Sequence, residues 1–210
     1  MKVRKENKIN MELVIATKNQ GKLKEIKDLL RDLDIKVTSL ADYPEAPEII
    51  EDGKSFKQNA LKKAETIAQY TGKLTLGEDS GLEVRALDNA PGIYSARFSG
   101  PKATDEKNNI KLLDSLKDVP MEERQACYRC VVAIVGSKGE IVGILSGMCS
   151  GFIALYPKGE NGFGYDPLFY IPRYKKTFGE LDPAIKARIS HRARAFKKVK
   201  IYLEEYLRHL

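Results

Sequence analysis

The sequence predicts an α/β or α+β fold on a central mixed sheet, and three observations point to it. The chain opens on a strand, a loop and a helix; later strands alternate with helices; and two apolar strands midway are joined by a short turn, breaking any regular doubly wound order.

Residues 11–17, MELVIAT, form the first apolar run. The loop KNQGK ends it, and residues 22–33 carry Leu23, Ile26, Leu29, Leu30 and Leu33 at helical spacing. The β-branched stretch 35–40 reads as a second strand, and the acidic, proline-bearing segment 42–53 as loop. Residues 54–72 set Phe56, Ala60, Ala64, Ile67 and Ala68 near one helical stripe, with Ser55 placed to cap the start and Gly72 to end it. The stretch KLTLGEDSGLEVRAL, 73–87, reads as a strand broken by a turn and resumed. A turn-rich loop leads to a helix over 106–119 that Thr104 can cap. Strands over 127–136 and 140–154 flank SKGE, which is good hairpin chemistry. Glycine, proline and aromatic residues crowd 155–172, and a closing helix runs from about Ala184 to Leu210. No repeat or linker separates autonomous units, so residues 1–10 read as a polar N-terminal extension and 11–210 as a single domain.

At 210 residues and 42% hydrophobic content, the chain can bury a sizeable core. No run approaches the roughly 18 apolar residues of a membrane helix, and the amino end lacks the apolar segment of a signal peptide. No membrane association is expected, and the cytoplasm is the expected compartment. Three cysteines are too few for a disulfide framework. Cys127 and Cys130 have redox or zinc spacing but sit on a strand, where residues three apart face opposite ways, so they read as core filling. A net charge of +7 invites a nucleic-acid reading. The 36 basic residues are interspersed with 29 acids and no nucleic-acid motif appears, so a small polyanion such as a nucleotide fits equally well.

Four segments have the residues for chemistry. ATKNQGK is a strand-end loop opening a helix, whose free N–H groups favour anions, although the Walker spacing is absent and a solvated helix start would look the same. Glu78 and Asp79 are adjacent, so on a strand they face opposite ways and one points into a cleft. An acid at a strand end can hold Mg²⁺ or accept a proton from water, though Ser80 and Gly81 also suit an ordinary polar turn. GENGFGYDP joins flexible backbone to Phe163 and Tyr165, which can stack on a planar ring, and to Asp166, which can accept from ring N–H groups. KARISHRARAF supplies Lys186, His191 and Arg192, with Ser190 a natural helix cap.

Taken together and in this order, the segments ATKNQGKLKEI, SFKQNALKKA, EDSGLEVRAL, APGIYSARFSG, GENGFGYDPLF, KTFGEL and ISHRARAF resemble the non-canonical purine nucleoside triphosphate pyrophosphatases, the inosine triphosphatase or dITP/XTP pyrophosphatase family. The likeness runs from about Leu13 to Leu207. It implies an elongated central mixed sheet flanked by helices, two lobes with an active-site cleft between them, and a homodimer. It further implies Mg²⁺-dependent hydrolysis of dITP, ITP and XTP to the monophosphate and pyrophosphate, which clears deaminated purines from the nucleotide pool. Carried onto this chain, the resemblance puts Thr17, Lys18, Asn19, Gln20, Gly21 and Lys22 on the triphosphate, makes Asp79 the proton acceptor and a metal ligand, and makes Ser80 a substrate contact. Phe163 would stack on the base, Gly164, Tyr165 and Asp166 would shape its pocket, and Lys186, His191 and Arg192 would complete the site. Two positions depart from the family pattern: Glu78 stands where Asp is common, and Gln58 where many relatives carry Glu. Glu51 is therefore the expected second metal carboxylate. A pyrophosphatase for another modified nucleotide and a basic nucleic-acid-binding module are the alternatives, with no specific nucleic acid expected.

Overall fold

The computed structural model describes residues 11–209, so the expected 1–10 extension lies outside the described residues. The elements in order are β1 (Glu12–Ile15), α1 (Gln20–Leu30), β2 (Lys36–Ser39), α2 (Phe56–Thr71), β3 (Leu74–Val84), α3 (Asp105–Ser115), β4 (Gln125–Val135), β5 (Ile141–Ile153), β6 (Phe169–Ile171), β7 (Lys176–Thr177), α4 (Pro183–Ile189) and α5 (His191–Arg208). One seven-stranded sheet has the order β2-β1-β3-β4-β5-β6-β7. β1 lies parallel to β2 and β3, and every later pairing is antiparallel, so the sheet is mixed as expected.

Local chemistry sets most boundaries. Asn19 Oδ1 accepts from Lys22 N at 2.9 Å, which starts α1 two residues before the expected 22. Ser55 caps α2 through Gln58 N at 3.2 Å, and Gly72 closes it in the left-handed region at φ 64°. Thr104 caps α3 through Lys107 N at 3.2 Å.

Two expectations are overturned. The stretch 73–87 is not broken by a turn: β3 runs unbroken, with Ser80 opposite Cys130 and Gly81 opposite Arg129 in the ladder with β4. Long-range pairing overrides the local turn signal there. The expected closing helix is in fact two, because Ser190 leaves the helical region (ψ 161°) and its Oγ accepts from Ala193 N at 3.1 Å. That break puts His191 and Arg192 in the first turn of α5.

Leu74 and Leu76 pack with Leu23, Ile26 and Leu30 of α1 and Ala195, Phe196 and Val199 of α5 on one face of the sheet. On the other face Ala60, Ala64 and Ala68 of α2 pack against Ala133 and Val135. A third cluster, including Leu82, Leu112, Tyr128, Phe169 and Phe178, fills the lobe around the far end of β3 and α3. Two glycines let helices seat directly on strands. A Cβ on Gly77 would lie 2.1 Å from the Ala60 carbonyl oxygen, and one on Gly147 would lie 2.3 Å from the His191 carbonyl oxygen and 2.4 Å from Ala195 N. Gly147→Ala should therefore lift the start of α5 off β5, costing about 1–3 kcal/mol in urea-induced unfolding; unchanged stability would refute the close approach as a constraint.

Candidate active site

β1 ends with Ile15 opposite Leu76, while β3 continues for eight more residues to Val84. Beyond Leu76 one edge of β3 therefore loses its parallel neighbour, at the carboxyl end of β1 where α/β sheets place their ligands. A cavity of about 350 Å³ opens at this point. Its lining includes Thr17, Lys18, Asn19, Lys22, Glu51, Asp79, Ser80, Phe163, Gly164, Tyr165, Asp166, Lys186, His191 and Arg192. Of the residues expected at the site, Gln20 and Gly21 do not line it. The Gln20 amide donates to the Lys18 carbonyl at 3.4 Å, and Gly21 backs onto the aromatic ring, where a Cβ would come within 2.9 Å of Phe163 Cδ1.

The alternation along β3 divides the site between two faces. On the α2 face, Asp79 accepts from Asn59 Nδ2 at 3.1 Å and pairs with Lys63 Nζ at 3.0 Å. Lys63 also pairs with Glu51 Oε2 at 2.7 Å and donates to the Glu78 carbonyl at 3.2 Å. Burial raises the Asp79 carboxyl above its ordinary value, against the pull of Lys63 and Lys22. Burial works against the Lys63 ammonium, yet Asp79 and Glu51 outweigh it and raise its pKa. Two carboxylates thus converge on one positive charge. That donor set fits Mg²⁺, which takes one or two protein carboxylates and fills its shell with phosphate oxygens and water. Among the described residues, no group of three or more His, Cys, Asp or Glu side chains is arranged to hold a metal.

On the opposite face Glu78 is 1% exposed. Its Oε2 pairs with Lys22 Nζ at 2.9 Å, and its Oε1 accepts from Arg192 Nη2 at 3.1 Å and from the Cys130 thiol at 3.4 Å. Burial alone would raise this carboxyl, but Lys22 and Arg192 hold it well below the usual carboxylate range. Arg192 Nη2 also donates to Ser80 Oγ at 3.0 Å, and Nη1 donates to Glu25 Oε2. Glu25 Oε1 accepts from Lys186 Nζ at 2.9 Å, and Lys186 donates on to Asp166 Oδ2 at 2.6 Å. Lys22, Glu78, Arg192, Glu25, Lys186 and Asp166 therefore form one chain of alternating charge from the first loop to the aromatic one.

Half-buried Phe163 has Lys186 Nζ 4.8 Å and Arg192 Cζ 5.8 Å from its ring centre. The His191 ring stacks on Tyr128 with centroids 4.5 Å apart and planes 8° apart. Burial, followed by the Arg192 charge, holds the imidazole well below its ordinary pKa, so it is neutral at physiological pH. His191 Nδ1 and Arg192 Nε are buried without a partner among the described residues, leaving polar atoms uncommitted beside the cavity. Sequence reasoning missed Glu25, Asn59, Lys63 and Tyr128. Asn59 and Lys63 were within reach, as polar residues flanking the Phe56–Ala60–Ala64 apolar stripe of α2.

The sequence pattern of the Ham1 family matches residues 13–202. The chain belongs to the Ham1 family. It is 52% identical over 188 residues to the dITP/XTP pyrophosphatase of Desulforamulus reducens, covering 90% of this chain and 93% of that one. It is 49% identical over 191 residues to the dITP/XTP pyrophosphatase of Geobacter sulfurreducens, covering 91% and 96%. Among solved structures, the HAM1 protein of Coxiella burnetii superposes with a TM-score of 0.85 at 41% identity, over 93% of this chain and 99% of that one.

In this Ham1 chain the two departures have distinct settings. Gln58 accepts from Lys54 N at 2.6 Å, bracing the start of α2 away from the cavity. Glu78 is the hub of the ion chain, so its charge bears directly on stability. Glu78→Gln leaves Lys22 and Arg192 undercompensated in a buried setting and should cost about 3 kcal/mol, measured as the shift in urea midpoint; a loss under about 0.5 kcal/mol would contradict this.

Proposed function

We propose that this chain hydrolyses dITP, ITP and XTP between the α- and β-phosphates, releasing the nucleoside monophosphate and pyrophosphate, in the cytoplasm and as a Mg²⁺-dependent homodimer. The observation that carries this reading is a single cavity with a carboxylate–lysine–carboxylate cluster on one face of β3 and an aromatic pocket with uncommitted polar atoms on the other. The names of the D. reducens and G. sulfurreducens relatives support the substrate class. Apolar Met148 and Ile201, half-exposed in one shallow recess, offer surface for a second copy.

In this mechanism Thr17, Lys18, Asn19 and Lys22, which line the cavity, receive the triphosphate. Gln20 and Gly21 shape that loop. Asp79 and Glu51 would hold Mg²⁺, which supplies charge neutralisation at the phosphates when bound. Asp79 orients a water molecule and takes its proton as the water oxygen bonds to the α-phosphorus. The bond from that phosphorus to the bridging oxygen breaks, and pyrophosphate departs with the electron pair. Lys63 holds Asp79 in place through its ion pair.

Base choice follows from hydrogen-bond donors at the pocket. A 6-oxo purine stacked on Phe163 presents an acceptor to donors such as Arg192 or backbone N–H groups, while adenine presents an amino group and leaves them unpaired, a penalty of about 1–3 kcal/mol for each buried group, or roughly 5- to 150-fold. Incubation with dITP, XTP and dATP plus Mg²⁺ should release pyrophosphate from the first two at least about tenfold faster than from dATP; equal turnover of all three, or none, refutes the reading. Asp79→Asn should lower kcat by about 10²–10⁴-fold with the fold intact, and full activity in that variant would remove Asp79 from its role.

A further inference from the structure

The loop that carries Phe163 is held from within and from outside. Gly162 and Gly164 both sit at positive φ, 82° and 63°, a region glycine enters and leaves freely. Within the loop, Asp166 Oδ2 accepts from Phe163 N at 2.9 Å. Outside it, Asn161 N–H donates to the Gly179 carbonyl at 3.0 Å and Lys186 to Asp166 at 2.6 Å, while Gly164 itself is gripped by α3, an element with no part in the phosphate loop or the Asp79 cluster. Gly164 N–H donates to Asp105 Oδ2 at 2.7 Å, and the Gly164 carbonyl accepts from Asn109 Nδ2 at 3.0 Å. Asp105 and Asn109 are one helical turn apart and so share a face of α3. They grasp the peptide group on each side of the Gly164 Cα, which fixes both of its backbone torsions.

The frame behind this grip is itself rigid. Buried Asn108 accepts from Ser99 N and from Ser99 Oγ, each at 2.8 Å, and donates to the Ser95 and Ala96 carbonyls, each at 3.3 Å. The Tyr165 hydroxyl donates to the same Ser95 carbonyl at 2.7 Å. Leu112 anchors α3 in the core.

We propose that Asp105 and Asn109 are positioning residues for base recognition: by clamping Gly164 they set the plane of the Phe163 ring, and so control affinity for the purine without acting on the phosphates. This rests on the reading that Phe163 stacks on the base. The test uses the full chain, with ITP hydrolysis measured beside inhibition by inorganic tripolyphosphate, which has phosphates and no base. Asp105→Ala and Asn109→Asp should each raise KM for ITP about tenfold, change kcat less than about twofold, and leave the tripolyphosphate inhibition constant unmoved. Asp105→Asn keeps an acceptor for Gly164 N–H and should restore a KM near that of the unsubstituted chain. An unchanged KM in both disruptive variants overturns the proposal, as does a parallel rise in KM and in the tripolyphosphate constant, which signals general loosening. Failure of the unsubstituted chain to hydrolyse ITP would sink the underlying function as well, whereas a working parent with unmoved variants sinks the clamp alone.

Discussion

The rest of this structure depends on a carboxylate buried in the middle of a strand. A lone charge at Glu78 would cost several kcal/mol in desolvation, so the fold must bring cations to it. Lys22 comes from the start of α1 and Arg192 from the start of α5, which forces two helices distant in sequence to meet over β3. Arg192 then needs Glu25, Glu25 is shared with Lys186, and Lys186 closes on Asp166. Satisfying one buried acid thereby ties the start of α1, the helix pair α4 and α5 and the aromatic loop into one electrostatic unit.

The sheet explains why this unit sits beside open space. β3 is much longer than its parallel partner, so it is both the last strand of the parallel half and the first of the antiparallel half. The unpaired stretch of edge is where the cavity forms, and the glycines that seat α2 and α5 keep the helices close enough for Lys63 and Arg192 to reach it. Positioning, more than intrinsic reactivity, distinguishes these side chains from the many other charged residues of the chain.

The parts of the fold governed by local chemistry were legible in the sequence. The caps at Ser55 and Thr104, the stop at Gly72 and the hairpin around Ser137–Glu140 all follow from residues within a few positions of each other. The turn reading of Ser80 and Gly81 failed because the determinant is a partner strand some fifty residues away. The single closing helix failed because the Ser190 hydroxyl was read as a cap without its consequence for the helix before it. At the site, the loop residues Thr17–Asn19 and Phe163–Asp166 were legible as cavity lining, and strand alternation gave Glu78 and Asp79 opposite directions although they stand within β3 and not at its end. Glu25 was not legible: an acid on an amphipathic helix looks like solvated surface until Lys186 and Arg192, more than 160 positions later, are seen beside it.

The alternation of β3 also has an evolutionary side. Glu78 looks toward α1 and α5, and Asp79 toward α2, yet Lys22, paired with Glu78, also exerts its charge on Asp79, so the two surfaces of the strand are coupled. A substitution in α1 that displaces Lys22 would be felt on both surfaces, whereas one beside Phe163 is felt first in the aromatic loop. In the proposed reading, a scaffold of this kind changes its choice of base with least disturbance through the aromatic loop, leaving the way it breaks the phosphate chain in place.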